Sequence, residues 1–199
     1  EMFHSSLVSL QTQLSKILKN KTVERIYLPS FLFSEKNVIV VIGQDGLVAN
    51  TAKYSAGCPI IAVNPDKARY DGILLPFDTS NFITGVEQVM DHSFPSRTMR
   101  FAEAKLNDGQ RLLAFNDLFI GASSHISARY KISFEDKKEE HSSSGLIVST
   151  PAGSTGWLSS VFNMAYGVAG VFEKNLVPKQ PQIDDDELLF AVREPFLSK

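Results

Sequence analysis

Three groups of residues in this chain have types and spacing suited to chemistry. The first, Gly43-Gln44-Asp45-Gly46, stands where an apolar run (37–42) gives way to a helix-compatible segment (47–55). Glycines at such a turn let backbone approach a ligand, and the N–H groups of a helix start favour a phosphate. A carboxylate at the carboxyl end of a parallel strand also stands where α/β sheets bind ligands. A tight turn with Asp45 capping the helix accounts for these four residues equally well. The second group, Asn116-Asp117, interrupts the apolar pattern Leu112, Leu113, Phe115, Leu118, Phe119, Ile120. Strands deplete Asn and Asp, and buried polar groups need partners, so either a bulge or a ribose-binding pair explains it. The third is Ser149-Thr150-Pro151-Ala152-Gly153-Ser154-Thr155-Gly156-Trp157. Small hydroxylated residues and glycines leave an open backbone there, and Ser154 or Thr155 could cap the following helix while binding a ligand's oxygens. Trp157 adds an aromatic face, and so long a loop of small side chains favours binding over mere connection.

The elements that must position these groups follow from periodicity. Leu7, Leu10, Leu14, Ile17 and Leu18 recur at helical spacing, which predicts an amphipathic helix over 7–18. The β-branched run 37–42 reads as a strand covered on both faces, and after the helix 47–55 a second apolar strand spans 60–63, completing a βαβ unit. A further helix is predicted over 79–91 from Phe82, Ile83, Val86, Val89 and Met90. From Arg97 the pattern becomes strand-like: strands 98–106 and 110–120 flank the turn Asn107-Asp108-Gly109, and others span 129–134 and 145–149. The charged stretch 135–144 has no apolar anchor and reads as a mobile loop. We therefore expect an α/β domain over 1–94 and a mostly β domain over 95–199.

Composition narrows the class of function. Of 199 residues, 43% are hydrophobic and 21% charged, ordinary values for a folded globular protein. With a net charge of -2 and no block of Lys and Arg, a nucleic-acid partner is not expected. No apolar run approaches the roughly 20 residues that span a bilayer, so no membrane partner is expected either. The single cysteine, Cys58, suits a reducing cytoplasm and reads as structural. His4, His92, His125 and His141 lack ligand spacing and read as surface or turn residues, so no protein-held metal is expected. Asp184-Asp185-Asp186-Glu187 reads as a solvated acidic turn before a strand over 188–192. Lys67 and Arg69 follow the strand ending at Asn64, where they could reach a phosphate or sit on an exposed loop.

In order and separation, the three groups resemble motifs of the NAD kinase family. That family carries a Gly-Gly-Asp-Gly turn, an Asn-Glu pair and a Ser-Thr-Pro-(Thr/Ser)-Gly-Ser-Thr-Ala-Tyr run. The stretch from Gly145 to Trp157 is similar to the last almost throughout, and Ile61-Ala62-Val63-Asn64 resembles the family's strand ending in Asn. The resemblance covers 37–160 and implies a Rossmann-like α/β domain followed by a β-sandwich-like domain. It implies phosphoryl transfer from ATP, or polyphosphate, to the 2′-hydroxyl of the adenosine ribose of NAD, with Mg²⁺ or another divalent cation accompanying ATP. Asp45 would be the general base, flanked by Gly43 and Gly46 near the phosphates. Asn116 and Asp117 would hold a ribose or adenine edge, and Ser154, Thr155, Gly156, Trp157 and Ser160 would line the NAD site. A homodimer or homotetramer is implied as well.

Departures from the family's pattern include Gln44 in place of a glycine, Asp117 of a glutamate, Trp157 of a tyrosine and Ser144 of an aspartate. If position 44 required φ > 0, glutamine there would cost about 1–2 kcal/mol. The family's β domain also implies residues beyond Lys199. A lipid kinase of the diacylglycerol type shares the Gly-Gly-Asp-Gly turn but lacks the Asn116-Asp117 and Ser-Thr-Pro features in this form. A non-catalytic relative that senses NAD is the other alternative, kept open by Gln44 and Ser144.

Overall fold

β-Branched side chains dominate Ile39–Ile42 (β1) and Ile60–Asn64 (β2), and such residues pack well on both faces of a covered sheet. In the computed structural model, which describes residues 2–172 and 185–196, these strands pair in parallel, Ile39 opposite Ile60 through Ile42 opposite Val63. The short strand Phe77–Asp78 (β3) adds to β2, also in parallel, giving the order β1-β2-β3. Alternation of side chains along a strand then divides the core in two. On one face Ile42, Ile61 and Val63 pack with Leu10 of helix α1 (Met2–Ser15) and with Phe82, Val86 and Val89 of α3 (Phe82–Met90). On the other, Ile39, Val41 and Ala62 pack with Val48 of α2 (Asp45–Ala52), Cys58 and Leu75. Val63 and Phe82 are fully buried. These elements lie in one compact unit, Glu1–Ser96; a second comprises Arg97–Lys199.

Several boundaries differ from expectation. The first helix begins at Met2 and ends at Ser15, with Leu18 closing the last turn through its N–H to the Leu14 carbonyl at 2.9 Å. The third starts at Phe82 because Asp78 and Asn81 organise the preceding turn: the Asp78 N–H donates to Asn81 Oδ1 at 2.8 Å, and Asp78 Oδ1 accepts the Asn81 N–H at 3.2 Å.

In the second unit, Ala102–Lys105 (β4) and Arg111–Ala114 (β5) form the expected antiparallel hairpin around Asn107-Asp108-Gly109. The predicted strand 110–120 is however two strands, because β5 ends at Ala114 and Asp117–Ile120 (β6) joins a different sheet. That sheet is antiparallel, in the order β10-β9-β6, with Gly145–Ser149 (β9) between β6 and Leu189–Arg193 (β10). Residues 135–144 are no loop. Lys137–Ser143 (β8) pairs along its length with Ala128–Phe134 (β7). Cross-strand contacts replace the missing apolar anchor: Lys131 meets Glu140 at 2.9 Å and Tyr130 stacks on His141 with ring centroids 5.7 Å apart. His141 is thus a strand residue rather than a surface or turn one. Ile147 and Leu158, the latter on helix α4 (Trp157–Val171), are buried. Of the acidic run, Asp184 lies outside the described residues; Asp185, Asp186 and Glu187 are exposed, and Asp186 pairs with Arg100.

Candidate functional site

In the first unit, Asp45 is the first residue of α2, and Gln44, in the extended region at φ -90° and ψ 162°, occupies the cap position. Gln44 is therefore unstrained, and the cost of a left-handed conformation does not arise. Asp45 does not cap the helix. Its carboxylate accepts the Leu74 N–H at 2.7 Å, across 29 residues of chain, and a negative charge in a first helical turn is also favoured by the backbone dipole. Gly43 is buried and its N–H donates to the Val63 carbonyl at 3.2 Å, extending the pairing of β1 with β2; Gly46 is exposed. Lys67 is engaged with Asp78 at 2.6 Å, and this ammonium, with help from Ser80, holds the Asp78 carboxyl well below the ordinary carboxylate range. Arg69 lies over the Tyr70 ring, 5.5 Å from its centroid. Both basic side chains thus have intramolecular partners.

In the second unit, the register of β6 against β9 places Asp117 opposite Ser149, so two motifs separated by more than thirty residues become neighbours. Thr150 ties them together: its N–H donates to the Asn116 carbonyl at 2.9 Å and its hydroxyl to the Phe115 carbonyl at 2.5 Å. The same hydroxyl accepts the Gly153 N–H at 3.1 Å and so caps a single 3-10 turn, Pro151–Gly153. Thr150 is the capping residue here, not Ser154 or Thr155; α4 itself starts from Gly156 without a side-chain cap. Gly153 is required by packing, since a Cβ at that position would lie 2.4 Å from the Asn116 carbonyl oxygen.

Asp117 is the electrostatic oddity of this group. Its Oδ1 is shielded from solvent and has no hydrogen-bond partner among the described residues. Burial pushes its carboxyl above the ordinary range, while the Ser149 hydroxyl works the other way. Gly156 leaves space beside it: a Cβ there would sit 3.9 Å from Asp117 Oδ2. Trp157, 39% exposed, is tilted against Phe119 at 5.3 Å, and the Arg193 guanidinium lies 5.2 Å from its ring centroid. Asn116, Thr155 and Ser160 are exposed, whereas Ser154 is buried and donates its hydroxyl to the Pro151 carbonyl at 2.7 Å. Ser149 and Thr150 belong to the third sequence group, but their places opposite Asp117 and as the tie to Phe115 and Asn116 depend on the distant strand β6. Arg193 was not singled out, and nothing local marks it.

No protein-family model matches the chain. Curated relatives do. An NAD kinase of Heliobacterium modesticaldum is 30% identical over 129 residues, 61% of this chain and 44% of that protein. An NAD kinase of Prosthecochloris aestuarii is 30% identical over 155 residues, 72% of this chain and 53% of the relative. In sequence the chain is similar to the NAD kinase family. It spans about half the length of the curated NAD kinases it matches. Among solved structures, yeast NADH kinase complexed with NADH matches 97% of this chain and 62% of its own at a TM-score of 0.61 and 16% identity. An Archaeoglobus fulgidus NAD kinase in complex with ATP matches 83% and 61% at a TM-score of 0.53 and 19% identity. At these identities the two solved structures speak to the fold alone, and the mixed helices and strands of this chain follow it.

Proposed function

We propose that this chain catalyses phosphoryl transfer from ATP to the 2′-hydroxyl of the adenosine ribose of NAD, giving NADP. The observation that carries the reading is Asp117: a shielded carboxylate oxygen without a partner, beside the glycine-lined turn that leads into Trp157. A buried acceptor of this kind is costly unless a donor arrives, and a ribose hydroxyl is such a donor. Asn116 and Asp117 hold the ribose or an adenine edge, Trp157 offers a ring face, and Ser154, Thr155, Gly156 and Ser160 line the NAD site. Gly43 and Gly46 approach the phosphates. Asp45 acts as general base, a role that requires a carboxylate within ~2.6–3.2 Å of the hydroxyl. As the ribose oxygen bonds to the γ-phosphorus, the bond to ADP breaks and the hydroxyl proton passes to the carboxylate.

No three His, Cys, Asp or Glu side chains gather to hold a metal ion among the described residues. A divalent cation, Mg²⁺ in this reading, accompanies ATP. The reading extends to polyphosphate as an alternative donor and to the domain plan of 1–94, Rossmann-like, and 95–199, β-sandwich-like. It also extends to a cytoplasmic homodimer or homotetramer; no helix among the described residues is long and apolar enough to cross a membrane. Self-association is supported by Met164, Val168 and Val171, which recur along α4 at helical spacing with half or more of their surface exposed.

The deciding experiment supplies NAD, ATP and Mg²⁺ to the purified chain in a single-turnover assay and reads NADP with an NADP-specific dehydrogenase. The Asp45→Asn variant is expected to lose about 10²- to 10⁴-fold in rate while retaining NAD affinity by calorimetry. NAD binding without NADP formation by the unsubstituted chain would replace the kinase reading with that of an NAD sensor.

A further inference from the structure

The Asp45 carboxylate is held by a loop, and that loop is held by one buried side chain. Asn64, at the carboxyl end of β2, is only 4% exposed. Its Oδ1 accepts the Asp66 N–H at 2.9 Å and its Nδ2 donates to the Tyr70 carbonyl at 3.0 Å, so both halves of the amide are spent on the chain that follows it. The same stretch is tightened by the Tyr70 N–H to the Asp66 carbonyl at 3.0 Å and the Leu75 N–H to the Gly72 carbonyl at 3.0 Å. Gly72 has φ +66°, and a Cβ there would lie 2.7 Å from Asn64 Nδ2, so backbone and amide are in close register. Two residues later the Leu74 N–H donates to Asp45 Oδ1 at 2.7 Å, the one hydrogen bond to that carboxylate among the described residues.

We propose that Asn64 is a positioning residue for Asp45: its amide clamps the loop 65–72, which presents the Leu74 N–H that orients the carboxylate. The proposal rests on the reading of Asp45 as the reacting base. In its kinetic form it predicts a loss in turnover rather than in substrate binding, because the clamp touches the orientation of one carboxylate.

Asn64→Asp keeps size and the Oδ1 acceptor but turns the Nδ2 donor into an oxygen facing the Tyr70 carbonyl. Gly72→Ala perturbs the same contact from the loop side and serves if the first variant does not fold. Either is expected to lower kcat about 10- to 100-fold with KM for NAD and ATP within about twofold. In an Asp45→Ala background the clamp variant is expected to cost nothing further, since the group it acts through is gone. Amide hydrogen exchange at Leu74 gives an independent readout, expected to rise about tenfold or more in Asn64→Asp. Unchanged exchange at Leu74, or a kcat loss that simply multiplies with that of Asp45→Ala, overturns the proposal. If the unsubstituted chain makes no NADP, the kinase reading falls by itself, and the exchange at Leu74 still decides whether Asn64 positions Asp45.

Discussion

Asp117 binds a functional expectation to a thermodynamic one. Because burial raises its carboxyl in the folded chain, the protonated form is favoured by folding. The associated stability is fully present below the ordinary carboxylate pKa, about 3.9, and is lost as pH rises through the raised value. Asp117→Asn cannot ionise, so it avoids that loss. Thermal denaturation of both proteins should therefore show similar midpoints near pH 4 and a higher midpoint for the variant at pH 7. A gap that stays constant between the two pH values would deny the role of ionisation. The same substitution should weaken NAD binding, the familiar cost of a site kept polar for a ligand. At this scale the sequence marked Asp117 as anomalous, since an acid in an apolar strand pattern demands a reason. It could not show which oxygen is left without a partner, because that depends on Ser149 and Gly156, both remote in the chain.

At the scale of elements, the second unit turns on the junction between β6 and the Thr150 turn. Gly153 packs directly on the Asn116 backbone, and backbone cannot move aside as a flexible side chain can. Gly153→Ala should cost about 1–3 kcal/mol by overpacking and displace Asn116. Chemical denaturation should show the lowered midpoint, and NAD titration the weakened affinity; a fully stable variant that binds NAD normally would count against the tight junction. The split of 110–120 into β5 and β6 belongs here as well. Local propensity sees one apolar run, whereas the hydrogen-bond partners of its two halves lie in different ladders. The pairing of Lys137–Ser143 with β7 was illegible for a related reason: its support comes from cross-strand charges and the Tyr130–His141 stack rather than from an apolar pattern within the segment.

For the whole molecule, the kinase reading requires that the chain bind both nucleotides. A ligand that binds only the folded state at a hundred times its Kd adds about 2.7 kcal/mol of stability. NAD and ATP, each added alone, should raise the unfolding midpoint by several degrees, and Asp117→Asn should blunt the shift caused by NAD more than that caused by ATP. If neither nucleotide moves the midpoint, this span of the chain does not hold the sites. Calorimetry on the same samples would confirm the stoichiometry.

The sequence by itself determined the elements whose signal is local: the β-branched strands Ile39–Ile42 and Ile60–Asn64, the helices between and after them, and the hairpin at Asn107-Asp108-Gly109. It also carried the motifs that resemble those of the NAD kinases, because short runs of glycines, acids and hydroxyls are readable without coordinates. Only the tertiary structure decided how these motifs are held. The Asp117–Ser149 register, the Thr150 tie to Phe115 and Asn116, and the Leu74 hydrogen bond to Asp45 each join residues far apart in sequence. Such contacts are fixed by which buried donor finds which acceptor once the core has closed, and no local pattern of residue types encodes that choice.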